Sequence, residues 1–204
     1  TGDGAKEGGA MAAETLTRDR VLDAAEETLR RFGPGKTTVV DVARALGVSH
    51  GTVYRHFASK AELLDAVLGR WLSRMNPPLT AIVESPGPAG DRLWQWLTTL
   101  MRLKHDKART DPDLFAAYAL LAAEARDVVP AHVGELVAQV TRIVADGVER
   151  GEFAPGDPAV IARSVLDATT RFHHPAHADE WAAGPVEQAF EALWNLLLLG
   201  LCAR

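Results

Sequence analysis

The chain has 204 residues, 47% hydrophobic and 24% charged, the balance of a globular protein with length enough for one or two domains. A single cysteine, Cys202, excludes an intrachain disulfide; no apolar run is long enough to span a bilayer and no signal-peptide pattern is present, so a cytoplasmic protein is expected. Net charge is −5, yet residues 17–60 carry eight Lys and Arg against five acids, whereas residues 61–204 carry 13 against 19. A basic head on an acidic body suits contact with nucleic acid at one end only.

Residues 1–15 are rich in glycine and alanine, have no apolar period, and read as a flexible tail. Thr17 can cap a first helix through Phe32, with Val21, Ala25, Leu29 and Phe32 as its inner stripe and Gly33-Pro34 as its stop. A second helix follows from Val39, Val42, Ala43 and Leu46. Gly47, just past the last apolar position, can take the left-handed conformation that a helix C-terminus favours. Ser49 is the natural N-cap of a third helix, His50 to about Phe57, whose inward side is Val53 and Phe57. Its outward side is Gly51, Thr52, Arg55 and His56, with Tyr54 at the edge. Gly51 is an odd choice there, because glycine in an exposed helix costs about 1 kcal/mol relative to alanine. Either a groove wall or phosphate approaches its backbone closely, or the preceding helix crowds it. Ser59-Lys60-Ala61-Glu62 then reads as a capping box, which sets Lys60 at a helix N-terminus where free amides already favour a phosphate.

The body continues in helical periods. Lys60 to about Met75 carries the stripe Leu63, Leu64, Val67, Leu68, Trp71 and Leu72, and Asn76-Pro77-Pro78 is expected to break it. A short apolar piece, Leu79 to Val83, precedes a loop at Ser85-Pro86-Gly87-Pro88. Asp91 to about Arg109 reads as a helix containing Leu93, Trp94, Leu97, Leu100, Met101 and Lys104, and Asp111-Pro112 starts another. Pro130 opens a long helix to Arg150, and Asp157-Pro158 caps one running to about Phe172. Val186 to about Cys202 is apolar around most of its circumference and must be buried against a partner surface. No strand pattern occurs, so the expected class is all-α, with about nine helices.

The segment from Thr37 to Leu64 carries a resemblance. Thr37, Thr38, Asp41-Val42-Ala43, Gly47-Val48-Ser49, Gly51-Thr52-Val53-Tyr54, His56-Phe57, Ser59-Lys60, Leu63 and Leu64 together resemble the DNA-binding domain of the TetR (AcrR-like) family of transcriptional regulators. The resemblance covers about a quarter of the chain. It implies an N-terminal three-helix helix-turn-helix domain over residues 16–60 and a helical ligand-binding and dimerisation domain over residues 61–204. It implies a homodimer formed by the last two long helices, Pro158–Phe172 and Val186–Leu201, bound to double-stranded DNA at a palindromic operator and released by a small, largely apolar effector, usually as a repressor. Thr38, Tyr54 and Lys60 are then expected at phosphates, Gly51 at close backbone approach, and Ser49, His50, Thr52, Arg55 and His56 at base edges. Trp71, Met75, Trp94, Met101, Phe115, Tyr118 and Phe172 are expected to line the effector pocket.

Two other readings have their own residues. His173, His174 and His177, with Asp179 and Glu180 nearby, supply metal-ligand chemistry, although Pro175 removes the helical spacing such a site would use; polar caps at a helix end are the plainer expectation. A helical small-molecule or metal-sensing binding protein without a major DNA role is therefore the alternative function. A glycine-rich phosphate loop, a nucleophile elbow and a helical His-Glu-x-x-His are all missing, so neither an enzyme nor a cofactor nor a membrane role is expected.

Overall fold

A computed structural model describes residues 16–202; the tail expected over residues 1–15 lies outside the described residues. The head is three helices: α1 (Arg18–Lys36), α2 (Val39–Leu46) and α3 (His50–Tyr54). The body follows as α4 (Lys60–Ser73), α5 (Asn76–Glu84), α6 (Ala89–Thr110), α7 (Pro112–Glu124), α8 (Val128–Glu149), α9 (Pro158–His173), a 3₁₀ turn (Pro175–His177), α10 (Ala178–Ala183) and α11 (Val186–Leu201). All nine helices expected from the sequence are present, and the shorter α5 and α10 add to them. Among the described residues the extended structure amounts to one isolated bridge, Phe153 with Cys202.

Local chemistry explains most boundaries. The Thr17 hydroxyl accepts from the Arg20 amide and the Ser49 hydroxyl from the Thr52 amide, so α1 and α3 begin where capping predicts. Gly47 takes φ 67°, the left-handed value that ends α2. The third helix, expected to reach about Phe57, ends at Tyr54, and four further details differ from expectation. The α1 segment does not stop at Gly33-Pro34 but bends there, with Gly33 at φ 70°, and runs to Lys36. Phe32 consequently leaves the inner stripe: it is 46% exposed, with the Arg31 guanidinium 5.3 Å from its ring centre. Asn76-Pro77-Pro78 ends α4 only by starting α5, since prolines in a first turn sacrifice no intrahelical donor. The Ser59 hydroxyl accepts from the Glu62 amide as a capping box requires, but Glu62 reaches past it to the Ala58 amide, at 2.7 Å. The reciprocal box forms instead at Thr38 and Asp41.

Two apolar cores divide the molecule. One joins α1, α2 and α3 to α4 and α7 through residues such as Leu29, Val42, Val53, Phe57, Leu68, Trp71 and Tyr118. The other joins α5, α6, α8, α9 and α11 around Trp96, Leu100, Val140, Val165 and Phe190. The head thus shares its core with α4, α7 and Trp181 of α10. On α11 only Phe190, Trp194 and Leu201 are buried, while Leu196 and Leu199 stand exposed in the single chain.

Candidate nucleic-acid interface and ligand cleft

Val53 and Phe57 are buried and pin α3 and its exit to the head core, which turns the opposite side of α3 to solvent. Ser49, His50, Gly51, Tyr54 and Arg55 are exposed there, and Thr52 and His56 partly so. The Ser49 and Thr52 hydroxyls lie 2.9 Å apart, and the His50 ring stands edge-on to Tyr54 at 6.3 Å. A methyl group built at Gly51 would meet only the Ser49 hydroxyl, at an ordinary 3.8 Å. Crowding by α2 therefore does not explain this glycine. Arg55 is an exposed cation with no ion pair among the described residues, as is Lys36.

Of the expected phosphate contacts, Thr38 and Lys60 already hold partners within the protein. The Thr38 hydroxyl donates to Asp41 at 2.6 Å, and this bond is the chief reason the Asp41 carboxyl is held below its usual range. Lys60 donates to the Pro34 carbonyl at 3.1 Å and so ties the start of α4 to the bend of α1. Arg18 completes the frame: its guanidinium donates to the His56 carbonyl at 3.0 Å and covers the Phe57 ring at 4.1 Å.

A cleft of about 1160 Å³ opens in the body between α6, α7, α10 and α11. Of the seven residues expected to line a pocket, Trp94, Met101 and Phe115 do so. Trp71, Met75, Tyr118 and Phe172 do not. Trp71 and Tyr118 stack at 4.5 Å in the head-side core that also buries Met75, and Phe172 meets the cleft residue Phe190 edge-on from behind at 5.3 Å. Sequence reasoning missed His105 and Trp181, which stack at 4.3 Å in the cleft wall. Trp181 was hidden because the histidine-rich stretch before it reads as polar caps at a helix end, although acids at Asp179 and Glu180 suit the first turn of a short helix. The Trp181 indole donates to the Arg171 carbonyl at 2.9 Å and locks α10 onto the end of α9.

The three clustered histidines point to separate tasks. His173 turns into the body, 3.3 Å from the Thr169 hydroxyl, and burial with the nearby Lys104 charge pushes it down to about 3. His174 accepts from the Ala176 amide and His177 pairs with Glu180 at 2.7 Å. Among the described residues no group of three His, Cys, Asp or Glu side chains is placed to hold a metal ion.

Two ion-pair clusters connect head and body. Arg70 on α4 donates to Asp23 and Glu26 on α1 at 2.7 and 2.9 Å. Arg30 on α1 grips both oxygens of Asp111, where α6 meets α7, and Arg30 with Lys107 holds the Asp111 carboxyl down at about 2. Asp111 lies between Arg109 and Pro112, both in the cleft wall.

A three-helix head that exposes its last helix, joined without a break to an all-helical body with a large cleft, defines a helix-turn-helix protein with a separate binding domain. Comparison with known proteins specifies it further. Residues 21–67 match the family described as bacterial regulatory proteins, tetR family, and residues 89–194, over half the chain, match the tetracyclin repressor-like C-terminal domain. The chain belongs to the TetR family. It is similar to the transcriptional regulator TtgR of Pseudomonas putida, 42% identical over 52 residues, a segment covering 26% of this chain and only 25% of TtgR. In fold it is similar to SmeT, repressor of the Stenotrophomonas maltophilia multidrug efflux pump SmeDEF, with TM-score 0.70 and 19% identity over 92% of this chain and 91% of that one. It is likewise similar to FadR of Bacillus subtilis in complex with stearoyl-CoA, with TM-score 0.71 and 16% identity over 90% of this chain and 99% of that one. No helix of the described residues is long and apolar enough to cross a membrane.

Proposed function

We propose that this chain is a transcriptional regulator, a repressor that leaves a palindromic operator when its body binds a small, largely apolar molecule, acting in the cytoplasm where its DNA lies. Residues 16–60 form the DNA-reading head, and residues 61–204 the effector-binding and dimerisation part. The observation that carries the reading is α3 itself: its inner side is sealed by Val53 and Phe57, and its outer side offers donors from Ser49 to Arg55 around a glycine that nothing inside the protein requires. The cleft supports the effector, as does the stearoyl-CoA complex of FadR, a protein of similar fold. Selection of bound duplexes from a random pool by the purified protein tests the reading. Recovery of a twofold-symmetric motif is expected, and recovery of no enriched sequence would refute it.

Within that reading Arg55 and Thr52 have different roles. Arg55, expected from the sequence at a base edge, is assigned to a phosphate instead because no ion pair among the described residues aims it, so Arg55→Ala should lower affinity on every duplex and shrink the slope of log affinity against log salt by about one. Thr52→Ala should change preference at one position of the motif, worth about 1–3 kcal/mol, and leave that slope intact. The unpartnered α9 and α11 faces supply the dimer: Val160, Leu196 and Leu199 are 61%, 67% and 77% exposed in one chain. Leu199→Asp should give monomers in sedimentation at micromolar concentration, because a buried unpaired charge has no compensation. A variant that sediments as the wild type does would move the interface elsewhere.

A further inference from the structure

The interior of the body contains a cation with nothing to pair it. Lys104 sits on α6 in the register of the apolar stripe Leu93, Leu97 and Leu100, and only 6% of it is exposed. Its ammonium has no hydrogen bond or carboxylate partner among the described residues; what it faces is the Trp71 ring, 5.8 Å away. Across from α6, His132 on α8 is equally buried, and neither of its ring nitrogens has a hydrogen-bond partner. His132 on α8 and His173 on α9 stand on two helices that pack against α6, and the Lys104 charge adds to the burial that depresses both. Burying one uncompensated charge is costly, and burying a second orphaned polar group beside it compounds the cost. A water molecule would satisfy the hydrogen bonds but not the charge.

We infer that this region is an anion subsite, in which Lys104 and His132 receive the carboxylate of a ligand whose remainder is apolar. The inference rests on the body being an effector domain and adds the chemical class of the effector. At neutral pH the lysine, pushed down by burial to about 8, is still mainly an ammonium, and the histidine, pushed to about 4 by burial and then by Lys104, is neutral and keeps one N–H to donate. An ammonium and an imidazole N–H on facing helices present two donors to two carboxylate oxygens. The surroundings suit the rest of the ligand. Phe115 lines the cleft and meets Trp71 edge-on at 6.0 Å, so one layer of side chains divides the cleft from the wall that Lys104 faces. A long apolar tail can occupy the cleft while the acid reaches inward past that layer. This also sorts the aromatic residues: Trp94, Met101 and Phe115 belong with the tail, Trp71 with the acid.

The test is calorimetric titration of the full chain with decanoate and, as its uncharged counterpart, decanol. Wild type should bind decanoate more tightly than decanol, and Lys104→Met should cancel the preference by weakening decanoate about 10- to 100-fold, the loss expected when a hydrogen bond to a charged group is removed. His132→Phe should weaken decanoate in the same direction and leave decanol unchanged. Without ligand, Lys104→Met should melt no lower than wild type, because a methylene chain of similar length replaces a charge that nothing compensated. A merely structural lysine would lower the melting temperature and weaken both ligands alike. Equal affinity for the two probes in wild type, no binding of either, or an unchanged preference in Lys104→Met would each overturn the subsite. Operator titration keeps the two readings apart: decanoate that binds through Lys104 without altering operator affinity leaves the subsite standing and removes the regulatory role, whereas intact operator binding with no decanoate binding does the reverse.

Discussion

Acidification from pH 7.5 to 5 should cost this protein about 4 kcal/mol of stability, about 2 for each of two histidines. Burial first, and the Lys104 charge second, push His132 down to about 4 and His173 to about 3 in the folded chain, from an ordinary 6.5. Below pH 6.5 the unfolded chain takes up protons that the folded chain refuses, so stability is present in full above that value and drains as pH falls towards 4 and then 3. Urea unfolding at several pH values would measure it. His132→Phe and His173→Phe should each flatten the curve over that window. A midpoint independent of pH between 7.5 and 5 would mean that both rings are solvated. The alkaline side has the opposite origin. Lys104, at about 8 instead of 10.5, should let stability rise between those two values, and Lys104→Met should abolish that rise.

The head was legible in the sequence because its determinants are local. Thr17, Ser49 and Gly47 act on amides and carbonyls within a few residues, and Val53 and Phe57 are set inward by helical spacing alone. Where the outcome depended on distant partners, local reading stopped short. Phe32 has the right spacing for the α1 stripe, but the α1 bend at Gly33 turns the end of the helix away from the core. Trp71 and Tyr118 have the size of pocket residues, yet which aromatic meets the cleft depends on how α4, α6, α7 and α11 pack, and no spacing within one helix records that. Lys104 was visible and its meaning was not. The register of the α6 stripe already placed a lysine among leucines, and only burial without a counter-charge turns that oddity into chemistry.

Arg70→Met should cost about 3 kcal/mol and at the same time weaken communication between cleft and head. Arg70 and Glu26 are only 15% and 14% exposed and 2.9 Å apart, and the exposed Arg74 is the further cation near that carboxylate, at 3.4 Å. Removing Arg70 leaves a mostly buried acid between α1 and α4 held only by long contacts from Arg74. The Glu26→Gln, Arg70→Met pair should recover much of the loss, because the orphaned charge goes with its partner. The functional consequence follows from the neighbours of this pair. Tyr118 stacks on Trp71, and Glu26 lies close enough to help push its hydroxyl above the ordinary range after burial, so the aromatic stack behind the cleft abuts the ion pair that sets the angle between α1 and α4. Under the proposed function, a ligand that shifts the stack is expected to shift that angle, and with it the direction in which α3 points. Effector coupling is typically about 1–3 kcal/mol, a 5- to 150-fold change in operator affinity. The double variant, folded but without the ion pair, should show a smaller ratio of operator affinities without and with a bound effector. If the ratio is unchanged, the α1–α4 pair is structural, and the signal must pass through the other link, Arg30 gripping Asp111 beside the cleft wall.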